Sequence, residues 1–274
     1  MPDVTPDATP HATPDERPDS GPSAELVHLS LDGAVATITL DSPHNRNALS
    51  RQLVAELADR LERSEADPDV RVVVVTSADR VFCSGADLSE ASADGMSVGV
   101  QAIVGLQRYV VGMSKPVVAV VRGPVRAGGI GIVAACDIVL SAEEATFALT
   151  EVKLGLAPAV ISLTVLPRLT SRAAAYACLS GAAFTGAEAV AMGLVTRAVP
   201  AADLDAAAAE LCAELATGAP QGLRETKALL ARDLLDRIDA RADEMAELSA
   251  RLFASDEARE AMTAFLTRPR TPRA

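Results

Sequence analysis

The sequence predicts an α/β fold followed by a helical C-terminal region, and three observations predict it. Short β-branched runs such as Val72–Val75 and Val117–Val121 alternate with segments of helical period, the pattern of strands joined by helical crossovers. Ahead of them, two strand-like segments meet at Asp32-Gly33, a pair suited to the left-handed conformations of a tight hairpin. After about Pro200 the strand signal ends and Ala, Leu, Glu and Arg dominate, a helix-forming composition.

Taken in order, residues 1–24 repeat Pro, Asp, Thr and Ala with no apolar period and read as a disordered leader, because such a segment buries too little surface to offset chain entropy. From Glu25 the hairpin segments Val27–Ser30 and Ala34–Leu40 open a sheet. Ser50 stands where an N-cap is needed for an amphipathic helix whose Leu53, Leu57 and Leu61 share one face. Val72–Val75, apolar throughout, suits a strand covered on both sides. A second round runs from a helix near Val98–Met113 to the strand Val117–Val121, and a third from Gly128–Ala135 to Ile138–Ser141. Helices are expected over Ala201–Leu215, Arg224–Leu234 and Ala240–Phe253. The organisation is thus a leader over 1–24, a core over 25–200 and a helical region over 201–274, with no repeat of fixed period.

Composition narrows the function classes. A chain of 274 residues with 49% hydrophobic content buries one sizeable core. A net charge of −12 argues against nucleic acid as a partner, since that affinity comes largely from Lys and Arg meeting phosphates. Cys83, Cys136, Cys178 and Cys212 are widely spaced, with no metal-ligand spacing, which fits free thiols in a reducing cytoplasm. The first residues lack the basic start and apolar run of a signal peptide, and no apolar run approaches the ~20 residues of a membrane span. A soluble cytoplasmic protein without a membrane partner is expected.

Two segments carry the chemistry. In Val81-Phe82-Cys83-Ser84-Gly85-Ala86-Asp87-Leu88 the small residues let the backbone approach a ligand, or simply make a tight turn that Asp87 caps. Arg122-Gly123-Pro124-Val125-Arg126-Ala127-Gly128-Gly129-Ile130-Gly131 lies between a strand and a helix. Free N–H groups at such a helix start favour a phosphate or an oxyanion. No GxxxxGK[ST] is present and the GxGxxA from Gly129 is mid-chain, so the oxyanion explains it better. His11, His28 and His44 show no triad spacing with Ser84 or Cys83. Glu143-Glu144 reads as a solvated turn rather than a metal site.

Five motifs stand in a recognisable order: Asn45-Arg46-Asn47-Ala48-Leu49; FCSGADL; a Gly-Gly pair before Ala134-Ala135-Cys136-Asp137-Ile138; Glu151 ahead of Gly155-Leu156-Ala157-Pro158; and Met192-Gly193-Leu194-Val195. From about residue 25 to the end, this arrangement resembles the enoyl-CoA hydratase/isomerase (crotonase) superfamily. The resemblance implies a spiral ββα core, a helical C-terminal oligomerisation region, and a homotrimer, often paired into a hexamer. It also implies an acyl-CoA thioester substrate, with CoA as part of the substrate and no separate cofactor. The N–H groups of Ala86 and Gly128 then hold the thioester oxygen, and Glu151 is the general acid or base. Arg46 and Ala48 lie beside the adenine and phosphates, with Ala86, Asp87, Leu88 and Gly128 also at the substrate. Arg126 and Arg268 are looser candidates for a basic rim, and Phe265 lies either near the adenine of a neighbouring subunit or in the core.

The sequence departs from the family pattern at one place. Well-studied hydratases carry a second glutamate shortly after the glycine pair, and here that position is Gly131. Hydration uses two carboxylates to orient one water and shuttle its proton, whereas double-bond isomerases manage with one. The expected activity is hydration of a 2-enoyl-CoA. Isomerisation of a 3-enoyl-CoA is the alternative, followed by decarboxylation or a catalytically weak acyl-CoA-binding subunit.

Overall fold

The computed structural model describes residues 24–91 and 96–267. Gly33, at φ +53°, turns β1 (Val27–Asp32) back on β2 (Val35–Leu40) in an antiparallel register from Val27 opposite Leu40 to Asp32 opposite Val35. The alternation of β2 buries Ala36, Ile38 and Leu40. Ser50 Oγ accepts from Leu53 N at 3.2 Å to start α1 (Arg51–Ala66), whose Leu53, Leu57 and Leu61 are buried as their shared face requires. Then follow β3 (Val72–Ser77), a one-turn α2 (Leu88–Ala91), α3 (Met96–Gly112), β4 (Val117–Val121), β5 (Val125–Arg126), α4 (Gly128–Ala135), β6 (Ile138–Ala142) and β7 (Thr146–Ala148). The rest comprises α5 (Ser162–Arg168), α6 (Ser171–Ser180), β8 (Phe184–Thr185), α7 (Gly186–Met192), β9 (Arg197–Val199), α8 (Leu204–Ala216), α9 (Pro220–Phe253) and α10 (Asp256–Thr267).

The strands form a six-stranded sheet of order β1-β2-β3-β4-β6-β9, parallel from β2 onward. Every residue of β3 and β4 is buried, as a strand covered on both faces demands. A three-stranded sheet of order β5-β7-β8 stands apart, pinned by stacked Phe147 and Phe184 rings 5.7 Å apart. Its strands, of two or three residues each, show no period and are absent from the sequence-based expectation.

The two helices expected over Arg224–Leu234 and Ala240–Phe253 are one continuous α9. The intervening Leu235-Asp236-Arg237-Ile238-Asp239 contains no Gly or Pro, and Ile238 is fully buried, so nothing breaks the helix there. Buried Lys227 fastens α9 to the core: its Nζ reaches Asp137 Oδ2 at 2.8 Å, Lys115 O at 2.8 Å and Val110 O at 3.0 Å. Among the described residues no helix is long and apolar enough to cross a membrane.

Candidate active site

Three loops are knitted together by backbone pairing. Isolated parallel bridges join Leu49 to Ala86 and Cys83 to Val125, and Arg126 N donates to Cys83 O at 2.9 Å. The register of β5 on β7 sets Arg126 opposite Ala148, and Ala127 N donates to Ala148 O at 3.1 Å. Gly128 is two residues beyond one pairing partner and Glu151 three beyond the other, so one short sheet delivers both to the same place.

Gly85 has φ +98°, a conformation that disfavours any side chain, and a Cβ there would sit 3.1 Å from Ala127 Cβ. A Cβ on Gly128 would lie 2.8 Å from Leu49 Cδ1 and 3.8 Å from Ala86 N, which places the two candidate donors side by side. Gly128 is the first residue of α4, where helical geometry leaves N–H groups without intrahelical partners. Among the described residues, neither the Ala86 N–H nor the Gly128 N–H meets a protein acceptor. Two adjacent free donors can bind one oxygen that gains negative charge.

The Asn45–Leu49 loop braces this geometry. Ser42 N donates to Asn47 Oδ1 at 2.6 Å, Asn47 Nδ2 to Val81 O at 2.9 Å, and Ser84 N to Arg46 O at 3.1 Å. Arg46 and Asn47 hold φ of 60° and 53°, a conformation that non-glycine residues keep only when their surroundings enforce it. Asn45 Nδ2 donates to Asp87 Oδ2 at 3.0 Å. Burial pushes the Asp87 carboxyl up, but the Ser89 hydroxyl and N–H together with Asn45 hold it below its ordinary value; it caps the following turn as expected.

A cavity of about 580 Å³ opens from these loops, within the size range of small-molecule sites. Ala86, Asp87, Leu88, Gly128 and Glu151 all line it. Glu151 begins a 3₁₀ turn closed by Gly155 at φ 68°. Its Oε2 is buried with no hydrogen-bond partner, and burial raises its pKa from 4.5 to about 7, only partly opposed by its own backbone N–H. A carboxyl poised near neutrality takes and returns protons readily.

The other predicted residues divide. Arg46 and Ala48 flank the cavity without lining it. The Arg126 guanidinium donates to Val125 O, Thr146 O and Thr146 Oγ1, holding β5 to β7. Arg268 and nearly all of the 1–24 leader lie outside the described residues. Phe265 is 55% exposed and lines the cavity, so the core alternative for it is corrected. Burial lifts the Cys83 thiol to about 12, leaving no thiolate for nucleophilic work. Gly131 is buried, and a Cβ there would lie 2.6 Å from Ile161 Cγ2 and 3.1 Å from Gln107 Oε1. Ile161, which lines the cavity, fills the space of a second carboxylate; nothing in the local sequence signals this contact across thirty residues.

The enoyl-CoA hydratase/isomerase family model matches residues 30–272. A crystal structure of an enoyl-CoA hydratase from Mycobacterium avium superposes with a TM-score of 0.83 at 46% identity, covering 89% of this chain and 96% of that one. A Thermus thermophilus protein provisionally named an enoyl-CoA hydratase is 38% identical over 204 residues, 72% of this chain and 81% of its own. The peroxisomal Delta(3,5)-Delta(2,4)-dienoyl-CoA isomerase of Arabidopsis thaliana is 28% identical over 270 residues, 91% of this chain and 95% of its own.

Proposed function

This chain belongs to the enoyl-CoA hydratase/isomerase family, and from that premise we propose that it adds water across the double bond of a 2-enoyl-CoA. The observation that carries the reading is the Glu151 carboxyl, its Oε2 unpartnered and its pKa raised to about 7, in the same cavity as the adjacent Ala86 and Gly128 N–H groups. The thioester oxygen accepts from both N–H groups. As hydroxide adds to C3, electrons move through C2 onto that oxygen, and the donors bind it more tightly than they bind the ground-state carbonyl. The Glu151 carboxylate takes the proton that water releases and returns it to C2 as the carbonyl re-forms. Atoms and charge balance over the cycle, so one carboxylate closes it.

Isomerisation of a 3-enoyl-CoA is the second reading, and the apolar Ile161 at the Gly131 position favours it: Glu151 alone moves a proton from C2 to C4 and no water has to be held. The same family reading carries a homotrimer or hexamer, with exposed Leu179, Leu229 and Leu230 available for an assembly to cover. To test the reaction, the protein is incubated with a 2-enoyl-CoA while the ultraviolet absorbance of the conjugated thioester is followed. Loss of absorbance with a 3-hydroxyacyl-CoA product supports hydration. Stable 2-enoyl-CoA together with conversion of a 3-enoyl-CoA replaces it with isomerisation.

A further inference from the structure

From the acyl-CoA reading above, we propose that the acyl group is an extended aliphatic chain with an uncharged end, lying in a groove between α1 and α3 that Gly99 and Gly105 keep open. Arg51, Val54, Ala55, Ala58 and Glu62 fall on one stripe of α1, and Gly99, Ala102, Ile103, Leu106 and Tyr109 on one stripe of α3; both stripes line the cavity that holds Glu151. The stripes run about 15 Å at 1.5 Å per residue. Buried Val54, Val100, Ile103 and Leu106 make an aliphatic floor, while Ala55, Ala58, Ala102 and the two glycines keep the rims low.

Glycine is among the poorest helix formers, so an interior glycine calls for a reason. Gly129 and Gly131 have one in packing, since a Cβ on either would come within 2.6 Å of a neighbour. Gly99 and Gly105 show none among the described residues, where a Cβ on either would meet no heavy atom within 4 Å. What their bareness preserves is the open groove itself. That a ligand enters the cavity is indicated independently by the buried, unpartnered Glu151 Oε2 among its lining residues.

The charges on the wall select the far end of the chain. Arg51 is the one cation lining the cavity among the described residues, and its Nε is 3.5 Å from Glu90 Oε2. Glu62, Asp87, Glu90 and Glu151 are carboxyl groups lining the same cavity, and Tyr109 lies in the field of Glu65 and Glu62. An acyl chain ending in a second carboxylate would meet more carboxyl groups than cations among the described lining residues.

The test uses binding of saturated straight-chain acyl-CoAs, which carry no reactive double bond, to the full chain by calorimetry. A buried methylene contributes roughly a fourfold gain in affinity, so octanoyl-CoA should bind on the order of 10²-fold more tightly than butyryl-CoA. Gly105→Leu, and separately Gly99→Leu, place a side chain in the groove in a residue type that favours the helix, and each should cut that ratio below about tenfold. The ω-carboxylated octanoyl thioester should bind more weakly than its methyl-ended counterpart. A flat chain-length series, a ratio unmoved by both variants, or equal binding of the ω-carboxylated chain would overturn the proposal while leaving the acyl-CoA reading intact. Failure of every thioester to bind would remove that reading, and this one with it.

Discussion

Replacing Glu151 by Gln should change how stability depends on pH, because the native fold holds this carboxyl where its charge is disfavoured. Burial raises its pKa from 4.5 to about 7, so between those values the folded state binds the proton that the unfolded chain has released. The stabilisation from the neutral carboxyl is fully present below about 4.5 and is lost as pH rises to about 7. At about 1.4 kcal/mol per pH unit this amounts to roughly 3 kcal/mol. For a chain of this size that corresponds to roughly 6–12 °C in melting temperature. The amide that Glu151→Gln introduces cannot ionise, so the variant lacks this penalty. Scanning calorimetry at pH 5 and pH 8 on both proteins isolates the effect, since the cost of burying an unpartnered amide is the same at both values. The wild type should lose more melting temperature than Glu151→Gln on going from pH 5 to pH 8. Parallel curves would refute the claim that Glu151 is held in an apolar setting.

Three further outcomes follow from the same geometry. The kcat/KM of the wild type should rise with pH through about 7, because the carboxylate is the form that accepts a proton; a pH-rate profile on a 2-enoyl-CoA checks it. Gly128→Val puts side-chain carbons beside Ala86 N and against Leu49 Cδ1, and should lower kcat by about 10²–10³, the typical effect of losing an oxyanion donor, measured beside a far-ultraviolet melt. Gly131→Glu drives its Cβ to 2.6 Å from Ile161 Cγ2 and should destabilise by about 1–3 kcal/mol as overpacking does. Adding Ile161→Ala should return part of that loss in a denaturant titration.

Sequence patterning revealed the elements that carry their own local signal. The all-valine Val72–Val75 suits a doubly covered strand, Asp32-Gly33 made the hairpin, and Ser50 with its leucine stripe made α1. The β5-β7-β8 sheet left no such trace, since two-residue strands are defined by partners twenty or more residues away. The candidate site was legible as an order of motifs, and a raised pKa for Glu151 follows from an apolar pocket, but the packing around it was not legible. That Glu151 keeps an unpartnered oxygen, and that Ile161 fills the place above Gly131, are properties of packing between distant segments. Gly99 and Gly105, inside a helix that carries one charged residue, are the local sign of the groove along α3.

In the proposed reaction a single carboxyl, Glu151, moves the proton while backbone N–H groups hold the thioester oxygen. This role of Glu151 is tested most directly by comparing Glu151→Gln with the wild type in two measurements: steady-state turnover of a 2-enoyl-CoA by ultraviolet absorbance, and affinity for an unreactive saturated thioester. The predicted result is a fall in kcat of about 10²–10⁴ with thioester affinity held within a few-fold. Turnover unchanged in the variant would contradict the claim and remove Glu151 from the chemistry.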